Sequence, residues 1–165
     1  MSILPVVQYN QKTIRLPSVE VTRQDIVSGL LNKLIKNMKD TMTAENGIGI
    51  AASQIGDNRR VIIITTKKGP EVVFNPVILN KSFRKETIEE GCLSVKGVFG
   101  PVARHRQIKV TGLNRHGETI IYQAKGLMAR IFQHEVDHLN GTLFIDRAKN
   151  ISQGSIDLKK WKKRV

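Results

Sequence analysis

The sequence predicts an α+β protein: antiparallel β-sheets wrapped around a central helix, with an N-terminal helix packed outside them. Three observations predict it. Residues 127–140 place Leu127, Ile131, Val136 and Leu139 at helical spacing, with no proline or glycine to interrupt them. Residues 22–43 repeat Ile26, Leu30, Leu34, Met38 and Met42 every four positions, again a helix period. Between these stretches, β-branched runs alternate with Gly, Pro and Asn turn signals. A chain of 165 residues is long enough for one domain with a real hydrophobic core.

Taken in order, residues 3–7 are apolar and read as a short edge strand. Thr22 is a fitting N-cap for the first helix, with Asp25 three residues on to close a capping box. Residues 47–54, GIGIAASQ, are too rich in small side chains to build a core. Residues 60–66 and 71–74 form a hairpin across the turn Lys67-Lys68-Gly69-Pro70, closed by Asn75-Pro76, with residues 77–79 continuing as an edge. Residues 82–90 read as a strand, and residues 94–101 as a loop because of their glycines and proline. Residues 107–113 and 118–124 pair across Asn114-Arg115-His116-Gly117. The last helix stops at Asn140-Gly141, where glycine can take the left-handed conformation.

That last helix carries His134, Glu135 and His138 in a His-Glu-x-x-His pattern. Four residues apart on a helix, His134 and His138 can offer two imidazole nitrogens to one metal ion. Glu135, rotated by about 100°, suits a general base rather than a ligand. A catalytic site of this kind takes a third protein ligand. Downstream, Phe144 stands where one protease class has a histidine, and no glutamate follows Glu135. Asp146 is the nearby acid, and it reads as a cap or local partner. The third ligand therefore comes from upstream, with Cys92, His105 and His116 as candidates.

Three stretches, GIGIAASQ at 47–54, EGCLS at 90–94 and QHEVDH at 133–138, resemble in order and spacing the signature motifs of peptide deformylases. The resemblance covers about residues 3–148, making residues 1–148 a single deformylase-like catalytic domain and residues 149–165 a basic tail able to form a short helix. It implies metal-dependent hydrolysis of the formyl group from N-formylmethionyl peptides of nascent proteins, releasing formate. Cys92, His134 and His138 would be the ligands of one divalent metal per chain, Fe2+ by expectation, with Zn2+ or Ni2+ able to take its place. Glu135 would be the general base, and Gln54 with the Leu93 backbone N–H would face the reacting oxygen. Gly49 would lie along the peptide, Ile48, Ile88, Leu127 and Ile131 would line a methionine pocket, and Glu90 is grouped with the substrate residues. Arg104 is in place to pair with Glu90, and Arg130 to meet substrate or an acid. Two departures stand out: Tyr9-Asn10-Gln11-Lys12 where the family carries a Pro-Asp-Pro turn, and Lys96 where it usually has proline. Two other readings remain: an HExxH-type metallopeptidase, and a nonenzymatic ribosome-associated protein.

Lys and Arg number 27 against 14 Asp and Glu, a net charge of +13 that favours polyanionic surroundings. The excess is concentrated at Lys159, Lys160, Lys162, Lys163 and Arg164 around Trp161, a stretch with which some deformylases dock on the ribosome. The strongest apolar run, residues 61–64, is far too short to span a membrane, and the N-terminus has no secretory pattern. With a single cysteine, the expected location is the cytoplasm, or an organelle after removal of a transit peptide.

Overall fold

A computed structural model describes residues 3–156 and shows the expected α+β architecture. The basic cluster at 159–164 lies outside the described residues. A five-stranded antiparallel sheet runs in the order β1 (Gly49–Ala51), β2 (Val61–Thr66), β3 (Gly69–Lys81), β6 (Gln107–Leu113) and β7 (Thr119–Lys125). A separate antiparallel hairpin joins β4 (Lys85–Cys92) to β5 (Val95–His105). Four helices accompany them among the described residues: α1 (Arg23–Val27), α2 (Asn32–Ala44), α3 (Gly126–Leu139) and α4 (Phe144–Arg147).

The large sheet is covered on both faces, which explains why Val61, Ile62, Ile63 and Ile64 are consecutive apolar residues and all fully buried. Alternate side chains face opposite ways. Val61 and Ile63 join Leu34, Ile35, Met38 and Met42 of α2. Ile62 and Ile64 instead join Ala129, Ile131 and Phe132 of α3. On its other side α3 meets β5, where the Gln133 side chain bonds both the N–H and the C=O of His105 at 3.0 and 2.9 Å. The motif helix is therefore central, held between the sheet and the hairpin.

Several expectations about individual elements change. The helix expected over residues 22–43 is two helices. Thr22 and Asp25 form the capping box, but Gly29 takes φ +79° and breaks the run, leaving Leu30 64% exposed. Residues 3–7 form no strand; the Val7 N–H donates to the Gln54 carbonyl at 2.8 Å, and just beyond them the Tyr9 N–H donates to the Ser94 carbonyl at 2.8 Å. Asn75-Pro76 does not end its strand. Asn75 takes φ +47°, shifts the register, and lets β3 leave β2 and pair with β6.

The segment 94–101, expected as a loop, is mostly β5. Gly97 takes φ +71° in open space, whereas Gly100 serves close packing: a side chain there would meet the Asn150 carbonyl oxygen at 2.7 Å. Residues 149–156 lie along this strand, with Ser152 donating its N–H to Phe99 and Ile151 packed against the hairpin core. No helix among the described residues is long and apolar enough to cross a membrane.

Candidate metal centre and substrate groove

Cys92 ends β4 at a register shift between Gly91 and Cys92. Such an irregularity re-aims a side chain, and here the thiol points at α3. Its Sγ lies 3.2 Å from His138 Nε2. The ligand atoms of Cys92, His134 and His138 fall within 4.8 Å of one another, the geometry of a metal site. The two rings are 5.0 Å apart, as their four-residue separation on α3 predicts. His105 and His116 lie elsewhere: His105 Nδ1 bonds the Ser82 carbonyl at 2.6 Å, and His116 is exposed in the β6–β7 turn.

The imidazoles are prepared for a cation by their surroundings. His134 Nδ1 lies 3.0 Å from Glu90 Oε2. An ionised carboxylate only accepts, so Nδ1 carries the proton and Nε2 keeps its lone pair for a metal. Burial alone would lower the His134 pKa, but Cys92 and Glu90 outweigh it and raise it well above the ordinary value, so a cation binding at Nε2 must displace a proton held there in the metal-free chain. At His138 burial dominates, helped by His134 and Arg104, and lowers the pKa well below that value, which favours the neutral ring a ligand needs. A thiolate and two imidazoles suit a borderline divalent ion.

Glu135 is buried beside the cluster, and its Oε2 has no hydrogen-bond partner among the described residues. Burial pushes its pKa up to about 7, with Glu90 and Asp137 adding to the rise. Gly49 on β1 packs so closely that an added Cβ would lie 2.5 Å from Glu135 Oε1 and 2.9 Å from Ile131 Cγ2. Only glycine lets that backbone approach.

Gln54 belongs to the 3-10 turn Ala52–Ile55 that follows β1. Its Oε1 accepts the Ala51 N–H at 2.8 Å, which turns the amide nitrogen towards Ser94 Oγ at 3.2 Å and Cys92 Sγ at 3.6 Å. The donor group thus faces the metal site. A groove of about 520 Å³ opens above it, between the free edge of β1 and the free edge of β4. Ile48, Gly49, Leu127 and Ile131 border it, as do Gln54, Glu90 and Leu93. Ile88 does not; it lies further back on β4, 45% exposed. At the outer end Lys96 Nζ meets Glu45 Oε2 at 3.1 Å and links the two lips.

Glu90, grouped with the substrate residues from the sequence, has both carboxylate oxygens engaged by side chains of the protein. Oε1 accepts from Arg104 Nε at 3.0 Å and Arg130 Nη1 at 2.6 Å, while Oε2 accepts from Arg104 Nη2 at 2.9 Å as well as His134. Burial would raise its pKa, but the bonds from His134 and Arg104 hold it well below the usual carboxylate range. Sequence reasoning had paired Arg104 with Glu90 but missed Asp137 and Arg147. Asp137 accepts from Arg104 Nη1 and from Arg147 Nε and Nη2, the last two at 2.5 Å. An acid three residues after His134 on a helix shares its side, the signal that could have found Asp137. Nothing local marks Arg147.

The pattern for polypeptide deformylase matches residues 3–154. A peptide deformylase of Carboxydothermus hydrogenoformans is 46% identical over 154 residues, covering 92% of this chain and 97% of that one. A class I type b peptide deformylase of Acinetobacter baumannii bound to Met-Ala-Ser is 38% identical with a TM-score of 0.84, covering 89% of this chain and all of the other. A peptide deformylase of Synechococcus elongatus in complex with actinonin is 34% identical with a TM-score of 0.86, covering 99% and 86%. Likeness of this extent, running through both edges of the groove and the helix beneath it, makes the chain a member of the polypeptide deformylase family.

Proposed function

We infer that the chain hydrolyses the formyl amide at the start of N-formylmethionyl peptides and releases formate. It is a hydrolase of a metal-dependent family. The observation that carries the reading is the meeting of Cys92, His134 and His138 beneath a groove bounded by two strand edges that are unpaired among the described residues. A relative holding Met-Ala-Ser, the peptide left when a formylated one has reacted, supports the same substrate class.

Cys92 Sγ, His134 Nε2 and the His138 Nε2 would hold one divalent cation, ferrous iron by expectation, with zinc or nickel suited to the same donors. Bound there, the cation supplies Lewis acidity and makes a water nucleophilic near neutral pH. Glu135 takes the proton of the attacking water as its oxygen bonds to the formyl carbon. It then gives that proton to the amine nitrogen as the C–N bond breaks. Gln54 Nε2 and the Leu93 N–H donate to the formyl oxygen, where negative charge grows. The peptide lies extended between β1 and β4, whose free edges supply backbone bonds. Ile48, Leu127 and Ile131 receive the methionine side chain. Glu90 acts by orienting His134 rather than by touching substrate.

A thiol ligand suits a reducing compartment, and the reading places the protein in the cytoplasm. The basic residues 159–164 would bring it to the ribosome by attraction to polyanions. Formate release from formyl-Met-Ala-Ser by anaerobically prepared, iron-loaded protein tests the main reading. Turnover is expected, with loss in Cys92→Ser and Glu135→Ala. Cleavage of an internal peptide bond without formate would assign a metallopeptidase instead, and metal-loaded protein inert on both substrates would overturn an enzymatic role.

A further inference from the structure

We propose that the end of the large sheet where the β3–β4 turn meets β6 and β7 docks on the phosphodiester backbone of single-stranded RNA. Lys81, Lys109 and Lys125 stand on three neighbouring strands and border a shallow cavity of about 390 Å³. The rest of its lining is Asn80, Ser82, Gln107, Gln123, Ile108 and Ala124, with no carboxylate. Register places Lys81 opposite Ile108, Lys109 opposite Gln123 and Lys125 opposite Gln107. Lys109 and Lys125 thus share one face of the sheet with Gln123, and Lys81, opposite the buried Ile108 at the last position of β3, borders the same cavity from the other face.

Three more cations extend the cluster. Arg84 follows in the turn and Lys85 opens β4, and the Arg106 N–H donates to the Arg84 carbonyl at 3.1 Å. None of these six cations takes part in an ion pair among the described residues. Glu86 is the acid nearest in sequence. Like charges gathered without partners repel one another, and a polyanion relieves that repulsion while releasing its own counterions.

An exposed aromatic ring decides which polyanion fits. Phe83 is fully exposed in the middle of this cluster, between Ser82 and Arg84. No packing accounts for it, and a base can stack on its open face. The amides of Asn80, Gln107 and Gln123 add donors for phosphate and sugar oxygens. An acidic polypeptide would use the lysines but has no flat ring system to match Phe83.

Fluorescence anisotropy of labelled oligouridylate against the full chain, over a series of salt concentrations, tests the proposal. The combined variant Lys81→Glu, Lys109→Glu, Lys125→Glu is expected to reduce the slope of log affinity against log salt by about 2, from about 0.7 per lost phosphate contact. A control of equal charge change, Lys12→Glu, Lys33→Glu, Lys67→Glu, is expected to keep the slope, and Phe83→Ala to weaken binding at unchanged slope. All these side chains lie at the surface, and circular dichroism checks that each variant is folded. Equal weakening by both triple variants, or none by the first, overturns the proposal. Polyglutamate competing as well as unlabelled oligouridylate assigns the surface to acidic polypeptide and overturns it too.

Discussion

Glu135 combines two demands that conflict at the level of one side chain. It must be buried to lie beside the metal site, and burial pushes its carboxyl from 4.5 to about 7. In the metal-free chain the unfolded carboxyl ionises first. The stability tied to Glu135 is therefore full below about 4.5 and is lost as pH rises to about 7. At about 1.4 kcal/mol per pH unit the loss is on the order of 3 kcal/mol. Urea denaturation of chelator-treated wild type and Glu135→Gln should diverge over that interval, and parallel profiles would refute the burial account. A dication restores ionisation by its own charge, so the divergence should shrink when metal is returned. Gln54 poses a simpler question, since its carbonyl is already fixed by the Ala51 N–H. Gln54→Ala should lower kcat about 10²–10³-fold with metal content unchanged in elemental analysis. The His-Glu-x-x-His spacing was legible at this scale because a helix turns the sequence interval directly into geometry. The engagement of Glu90 with Arg104 and Arg130 was only half legible, since it depends on how a hairpin is laid against α3.

Between elements, two carboxylates and three guanidiniums join α3 to β4, β5 and α4. Glu90 and Arg104 are almost completely buried, so their charges persist only because each is paired. Asp137→Asn leaves Arg104 with Glu90 as its remaining anionic partner, and a loss of about 1–3 kcal/mol is expected in denaturant titration. The Arg147 half of that contact is 46% exposed and contributes little of it. Glu90→Gln is expected to act on the ligand it orients, lowering metal affinity about 10–100-fold in competition with a chelator. At this scale the sequence was read wrongly in an instructive way. Glycine and proline at residues 97–101 signalled a loop, yet Gly100 makes room for the backbone at Asn150 and Pro101 sits in a two-stranded hairpin where a missing N–H is tolerated. A helical period ran unbroken through residues 26–42, but Gly29 adopts a left-handed conformation and resets the phase, so Leu30 faces solvent. Periodicity reports which residues want burial; it is silent on where a glycine turns the chain.

For the molecule as a whole, the metal cluster is also a fastening. Cys92 comes from the hairpin and both histidines from the helix that supports the large sheet. A ligand that binds only the folded chain adds stability by mass action, about 2.7 kcal/mol at a hundred times its dissociation constant. Chelation is therefore expected to lower the melting temperature in scanning calorimetry, and Cys92→Ser to abolish most of that shift. Tyr9 near the N-terminus and Ser152 beyond α4 both bond the same hairpin, at Ser94 and Phe99. During synthesis this order of contacts matters. A nascent chain that has just released Cys92 carries one thiol donor and no imidazole from α3, and it gains a coordination site only once His138 clears the exit tunnel. The outer side of Phe99 stays bare until residues 152–153 follow, so the enzyme that trims newly made chains spends part of its own birth with an uncovered strand.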